Sequence, residues 1–215
     1  MERAMAKGLL ALCALAALGA CGDRSSYGHS APYMFHMRDK IPVAMPANAP
    51  SIAQQFMTPK TEDGQGHYGI DVADPPGSPV IAAAAGTVYL SYFEPMYGNR
   101  IVIDHGPDAN GRRVFTHYKH LDVRQVEAGA RVVQGQQIGT LGETGVLSSY
   151  AHLHFEVSRE KSPGARRATG DNYWQGMVPQ DPQLYWANGV GQVTCAGSVT
   201  GNSGPMPLVY PVACG

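Results

Sequence analysis

The run Ala151-His152-Leu153-His154-Phe155-Glu156-Val157 alternates strictly between apolar and polar side chains. A period of two marks a β-strand that buries one face and leaves the other open. On such a strand His152, His154 and Glu156 lie on one side, with successive members about 6.6 Å apart. Leu153, Phe155 and Val157 point into the core. The chain must therefore build a sheet around this strand. The apolar layer beneath would make the two imidazoles a rigid platform. Taken alone, the pair is either a functional site or two exposed strand histidines.

The surrounding sequence supports an all-β fold between residues 51 and 158. Gly86 and Pro79 bracket the alanine run 82–85 too closely for a helix, so two strands are predicted across Pro79–Leu90. Arg100-Ile101-Val102-Ile103-Asp104-His105 is β-branched and strand-like. Gly106-Pro107-Asp108-Ala109-Asn110-Gly111 is a turn cluster, and Arg113–Tyr118 returns from it, which predicts a hairpin. Gly129–Gly142 alternates turns with short strands. No helix longer than two turns is predicted. Arg159–Gly170 reads as a loop, and Asp181–Trp186 as a short closing turn or helix packed on the core. Residues 188–215 read as an appended tail, a hairpin closed by a disulfide between Cys195 and Cys214.

The amino terminus is set apart from this domain. Arg3 and Lys7 precede an apolar stretch, Gly8–Leu18, of signal-peptide length and too short to span a bilayer. Leu18-Gly19-Ala20-Cys21 then resembles a bacterial lipobox, the alternative being a plain secretory signal with a chance cysteine. Residues 1–20 are expected to be a lipoprotein signal and Cys21 the lipidated first residue, holding the chain to a membrane in the bacterial cell envelope. Residues 21–50, rich in Ser, Ala, Pro and Met, read as a tether or flexible arm, and 51–187 as the folded domain. An exported chain meets oxidising conditions, which favours the Cys195–Cys214 pairing. The formal charge of −1 gives no reason to expect a nucleic-acid partner.

Other histidines need separate arguments. His67 and Asp71 would lie roughly 13 Å apart on a straight strand, too far to hold one ion. Sharing a metal would require a bend, and Gly69 is the residue that permits one. His117 and His120 have opposite strand parity, so only one faces a site easily. The end-of-strand position favours His120, leaving His117 structural or exposed. His105 reads as a turn histidine with local hydrogen bonds. His29 and His36 read as solvent-exposed residues of the arm.

Three blocks in this order resemble the lysostaphin-type (LytM-like) zinc metallopeptidases, which cleave peptide bonds in bacterial peptidoglycan. They are His67-x-x-x-Asp71, Tyr118-x-His120 and His152-x-His154. The spacer agrees as well, through Val126-Glu127-Ala128-Gly129, Val132-Val133-Gln134-Gly135-Gln136-Gln137-Ile138-Gly139 and Leu141-Gly142-Glu143-Thr144-Gly145. The likeness covers Phe56 to Ser158. It implies an antiparallel β-sheet or β-barrel-sandwich (the duplicated hybrid motif of that family) with a groove. It also implies Zn²⁺ held by His67, Asp71 and His154, with His120 and His152 as catalytic non-ligands. Peptidoglycan peptides would be the substrate. Glu156 is a candidate partner of His154, or else an exposed strand residue. Tyr150-Ala151 departs from the Gly-Pro usual before the last motif, and Pro107–Arg112 implies a longer hairpin. Two other functions compete with a peptidase. One is a non-catalytic relative that activates cell-wall amidases by contact, for which loss of ligands would be the mark. The other is a structural zinc site, which normally has four protein ligands.

Overall fold

The computed structural model describes residues 41–57, 66–165, 175–201 and 206–215. The signal segment, Cys21, His29, His36 and most of the proposed tether lie outside them, as does part of the loop 159–170. Ten strands follow in order: β1 (Ser51–Gln54), β2 (Ile70–Ala73), β3 (Pro79–Ile81), β4 (Gly86–Glu94), β5 (Gly98–Pro107), β6 (Arg113–Arg124), β7 (Arg131–Val132), β8 (Gln137–Leu141), β9 (Leu153–Glu160) and β10 (Met177–Gln180). The helical element of the described residues is one 3-10 turn at Pro182–Leu184, capped by Asp181, whose side chain accepts from the Gln183 N–H. No helix among these residues is long and apolar enough to cross a membrane.

All ladders between these strands are antiparallel, and the main path runs β1-β2-β9-β6-β5-β4-β7. The fold is all-β, as the alternating patterns predict. The sheet is open, with β1 and β7 at the ends of that path. β9 lies near its middle, against β6 on one side and β2 and β10 on the other. Central strands of this kind are fixed in register, because a one-residue slip would swap core and open faces. Leu153, Phe155 and Val157 are fully buried, together with Ile70 and Val72 of β2, Ile101 and Ile103 of β5, and Tyr118 of β6.

The carboxy-terminal residues do not form the expected appended hairpin. Leu208, Val209, Tyr210 and Val212 are buried against the core, and Trp186 packs between Phe155 and Tyr210. Backbone bonds thread the segment between two others. Val209 N–H donates to Ala83 O and Ile81 N–H to Pro211 O on one side; Leu208 N–H donates to Tyr185 O and Tyr210 N–H to Thr194 O on the other. These irregular ladders satisfy buried backbone groups that a surface tail would leave to water. Cys195 and Cys214 form a disulfide. Residues 41–50 join the same layer: Ala44 N–H donates to Gly191 O, Val193 N–H to Ala44 O, and Val43 packs on the core.

His105 is a strand residue of β5, not a turn residue. Its Nδ1–H donates to Ala85 O, and Nε2 meets Thr116 Oγ1. His117 is buried, with Nε2 bonded to Ser158 Oγ at 2.7 Å. Burial pushes the His117 imidazole down to about 3, with Glu156 opposing and Lys119 assisting.

Two outcomes follow for stability. The disulfide closes a loop of sequence separation 19. Loop-closure entropy for that length is worth about 3 kcal/mol, so Cys195→Ser with Cys214→Ser should lower Tm by roughly 6–12 °C in calorimetry. His117 has a folded pKa below its unfolded value, so the unfolded chain takes up the proton first. Its contribution is complete above about pH 6.5 and is lost as pH falls toward about 3. Urea unfolding of the parent should lose stability between pH 7 and pH 4 more steeply than His117→Gln, by a difference on the order of a kcal/mol or more.

Candidate metal centre

The register of three neighbouring strands assembles most of the site. Asp71 of β2 lies directly across from His154 of β9, and Lys119 of β6 lies across from His154 on the other side. Cross-strand partners point to the same face, with Cβ atoms about 4.5–5.5 Å apart. The open face of the sheet thus carries Asp71, His154 and Lys119 in one row. His117 and Glu156 form the next.

His67 comes from outside this row. It pairs with Met57 through two backbone hydrogen bonds of 2.7 Å, and the chain bends at Gly69 before entering β2. The bend brings His67 Nε2 to 3.1 Å from Asp71 Oδ1. Gly69 is needed for a reason other than the conformational freedom expected of it, since its φ is not positive. A Cβ there would lie 2.3 Å from the Phe155 carbonyl oxygen and 2.9 Å from Glu156 Cγ. Close approach of the His67 segment to β9 is what excludes a side chain.

His120 reaches the site by a different device. It lies within β6, not beyond its end, and adopts φ +63°. The β5–β6 register shifts there, so that Lys119 and His120 both stand opposite Arg100. A bulge of this kind re-aims a side chain. Strict alternation would send His120 to the core face with Tyr118; the bulge turns it toward His152, with ring centroids 4.8 Å apart. Its N–H donates to Tyr97 O at 3.0 Å.

Each imidazole is oriented by an oxygen acceptor. The Nδ1–H groups of His67, His120 and His152 donate to the carbonyls of Gln55, Thr144 and Tyr150, each at 2.8 Å. His154 differs: its Nε2–H donates to Glu156 Oε1 at 2.9 Å. A carbonyl only accepts, so the partner nitrogen must carry the proton and the opposite nitrogen keeps its lone pair. The lone pairs that result are on Nε2 of His67, His120 and His152, and on Nδ1 of His154.

Three electron-rich atoms therefore converge. His67 Nε2 lies 3.1 Å from both Asp71 Oδ1 and His154 Nδ1, and His154 Nδ1 lies 2.7 Å from Asp71 Oδ1. Acceptors this close repel one another unless a proton or a metal cation sits among them. A tetrahedral zinc with bonds of about 2.0–2.1 Å spaces its donors about 3.3 Å apart. The donor atoms and their spacing fit that ion, and two nitrogens with one carboxylate oxygen suit its chemistry. Burial opposes the Asp71 charge, but the His154 and His67 imidazoles beside it hold the carboxyl well below the usual range. Burial likewise disfavours a charged His154, and Asp71 and Glu156 together raise it above the ordinary imidazole value. The pocket is built for positive charge at this point.

His120 and His152 border the group without joining it. His152 Nε2 is 3.7 Å from Asp71 Oδ1, and the His120 and His154 rings are 6.3 Å apart. Burial lowers both, His120 to about 4, so both are neutral near pH 7. Tyr150, where the sequence departs from the family's usual pair, stacks on His152 at 4.5 Å. The inserted turn 107–112 is closed by Asp108, which accepts from the Asn110 and Arg112 N–H groups. Sequence reasoning missed Lys119, buried beside Glu156. It also missed the orienting carbonyls, which carry no residue-type signal.

Residues 65–165 match the family described as Peptidase family M23. The chain is 41% identical over 98 residues to peptidoglycan DD-endopeptidase ShyC of Vibrio cholerae serotype O1, covering 46% of this chain and 21% of that protein. It is 38% identical over 109 residues to the uncharacterized lipoprotein YgeR of Escherichia coli K12, covering 50% and 40%. It is 39% identical over 93 residues to the murein hydrolase activator NlpD of the same organism, covering 43% and 23%. The chain thus spans between about a fifth and two fifths of the length of these relatives. With the three motif blocks gathered around one cation-seeking centre, residues 65–165 form a domain of peptidase family M23.

Proposed function

We propose that this chain is a zinc-dependent endopeptidase that hydrolyses peptide cross-links of bacterial peptidoglycan. The observation that carries the reading is a three-donor centre flanked by two neutral, oriented histidines. His67, Asp71 and His154 would hold the ion. Bound there, zinc would supply Lewis-acid polarisation and lower the pKa of a water. A structural site normally closes with a fourth protein ligand, whereas this group has three among the described residues.

The remaining steps belong to side chains of this chain. His120 and His152 each present a lone pair on Nε2, because Nδ1 is committed to a backbone carbonyl. Either nitrogen is suited to take a proton from the attacking water. Once protonated, it would be suited to steady the oxyanion or return the proton to the leaving amine. Asp71 and Glu156 stay ionised and balance the positive charge of the centre. The similarity to a protein named a DD-endopeptidase favours D-amino-acid cross-links over glycyl bridges as the target. Lipidation at Cys21 would hold the enzyme at a membrane of the envelope, in keeping with the similarity to a lipoprotein.

The similarity to NlpD raises a second reading, activation of cell-wall amidases by contact. Retention of all three ligand residues favours the enzyme. Digestion of purified peptidoglycan by the full chain, with and without chelator, separates the two when the released peptides are identified by mass. The parent should release cross-link cleavage products, and chelator should abolish them. His154→Ala should lose zinc and activity together. His152→Ala should keep zinc and lose activity by about 10²–10⁴-fold. A His152→Ala chain that cleaves at the parental rate would remove that residue from the mechanism. A parent that cleaves nothing but stimulates an amidase would establish the second reading.

A further inference from the structure

We propose that Lys119 is a positioning residue of the metal centre, acting through Glu156 on His154. The inference rests on the zinc reading above. Lys119 is 5% exposed, and its ammonium group binds Glu156 Oε1. The same oxygen accepts the His154 Nε2–H bond at 2.9 Å. Lys119, Glu156 and His154 therefore form one chain that ends at the Nδ1 donor of the centre. Lys119 is itself held in place: its Nζ lies 4.0 Å from the centroid of the Tyr97 ring. It also stands directly across from His154 in the β6–β9 ladder.

The need for such a clamp is visible beside it. A cavity of about 420 Å³ is lined by Tyr68, Tyr97, Lys119, Glu156 and Met177 among others. A glutamate side chain has several rotamers, and this space gives its carboxylate somewhere to turn. Were Glu156 to swing into the cavity, His154 would lose the acceptor that fixes its ring and its tautomer. The outer partner of a ligating histidine typically changes metal affinity by 10–100-fold when removed. Lys119 removes that freedom by pinning the carboxylate oxygen that His154 uses. A lysine that only neutralised a buried carboxylate would affect folding and leave metal affinity unchanged.

The test measures zinc affinity of the full chain by competition with a chelator of known affinity, together with the visible spectrum of the Co²⁺ form. Lys119→Met and Glu156→Gln should each weaken zinc by about 10–100-fold and alter the Co²⁺ spectrum. The double variant should match Glu156→Gln within about threefold, because the lysine acts through that carboxylate. Breaking a buried ion pair on one side is strongly destabilising, so Lys119→Met can fail to fold. Glu156→Gln breaks the same pair from the other side. Where a single variant fails to fold, the double variant, which leaves no uncompensated charge, is compared with the parent. It should bind zinc about 10–100-fold more weakly, and a double variant that binds as tightly as the parent overturns the proposal. A Lys119→Met chain that holds zinc as tightly as the parent overturns the proposal. So does a double variant about tenfold weaker than Glu156→Gln. A parent that binds no zinc overturns the metal centre itself, whereas a zinc-binding parent matched by Lys119→Met overturns only the role of Lys119.

Discussion

The structure depends on the period-two geometry of β9. One strand supplies Leu153, Phe155 and Val157 to the core and His154 and Glu156 to the open face. Burial of the first set fixes the register of the second, because a slip would drive imidazole and carboxylate into an apolar layer. The placement of the donors is thus held by the hydrophobic energy of the whole domain. Asp71 and Lys119 inherit the same precision through their pairing with His154.

The second constraint is the commitment of one nitrogen on each imidazole. Four rings, four oxygen acceptors and four remaining lone pairs leave little freedom in how the centre is wired. Three acceptors are backbone carbonyls, which cannot drift without unfolding the loop that carries them. Glu156, a side chain, is the exception. It is also the acceptor held by a further partner, Lys119. Rigid carbonyls require no such support, whereas a mobile carboxylate does.

Much of this was legible in the sequence, and the unread parts share a cause. The alternating run around His154 announced its strand because its information is local. The three residues that would hold the ion could be named from the family resemblance, although no spacing rule places His67 beside Asp71; the bend depends on Gly69 meeting the Phe155 carbonyl, a contact across 86 positions of chain. Sequence alone therefore suggests conformational freedom at Gly69, where the structure requires close approach. His120 is expected at a strand end because the predicted strand stops at Tyr118, whereas a left-handed residue at a bulge lets β6 continue through it. The carboxy-terminal segment lacks alternation, so its burial leaves no periodic trace and its sequence reads as an appendage. Lys119 hid between the two named residues of its motif, since a buried lysine looks like a surface one until its partner is seen.

The two ends of the described domain meet. Asn48 Nδ2 donates to Gly215 O at 2.7 Å, Gly215 N–H returns a bond to Asn48 O at 2.9 Å, and Cys214 next door is cross-linked to Cys195. Residues 41–50 therefore enter the domain on a layer stapled by a covalent bond, and the centre lies on the open face of the sheet instead. Force applied to the chain ahead of residue 41 would load that layer before it reached β2 or β9.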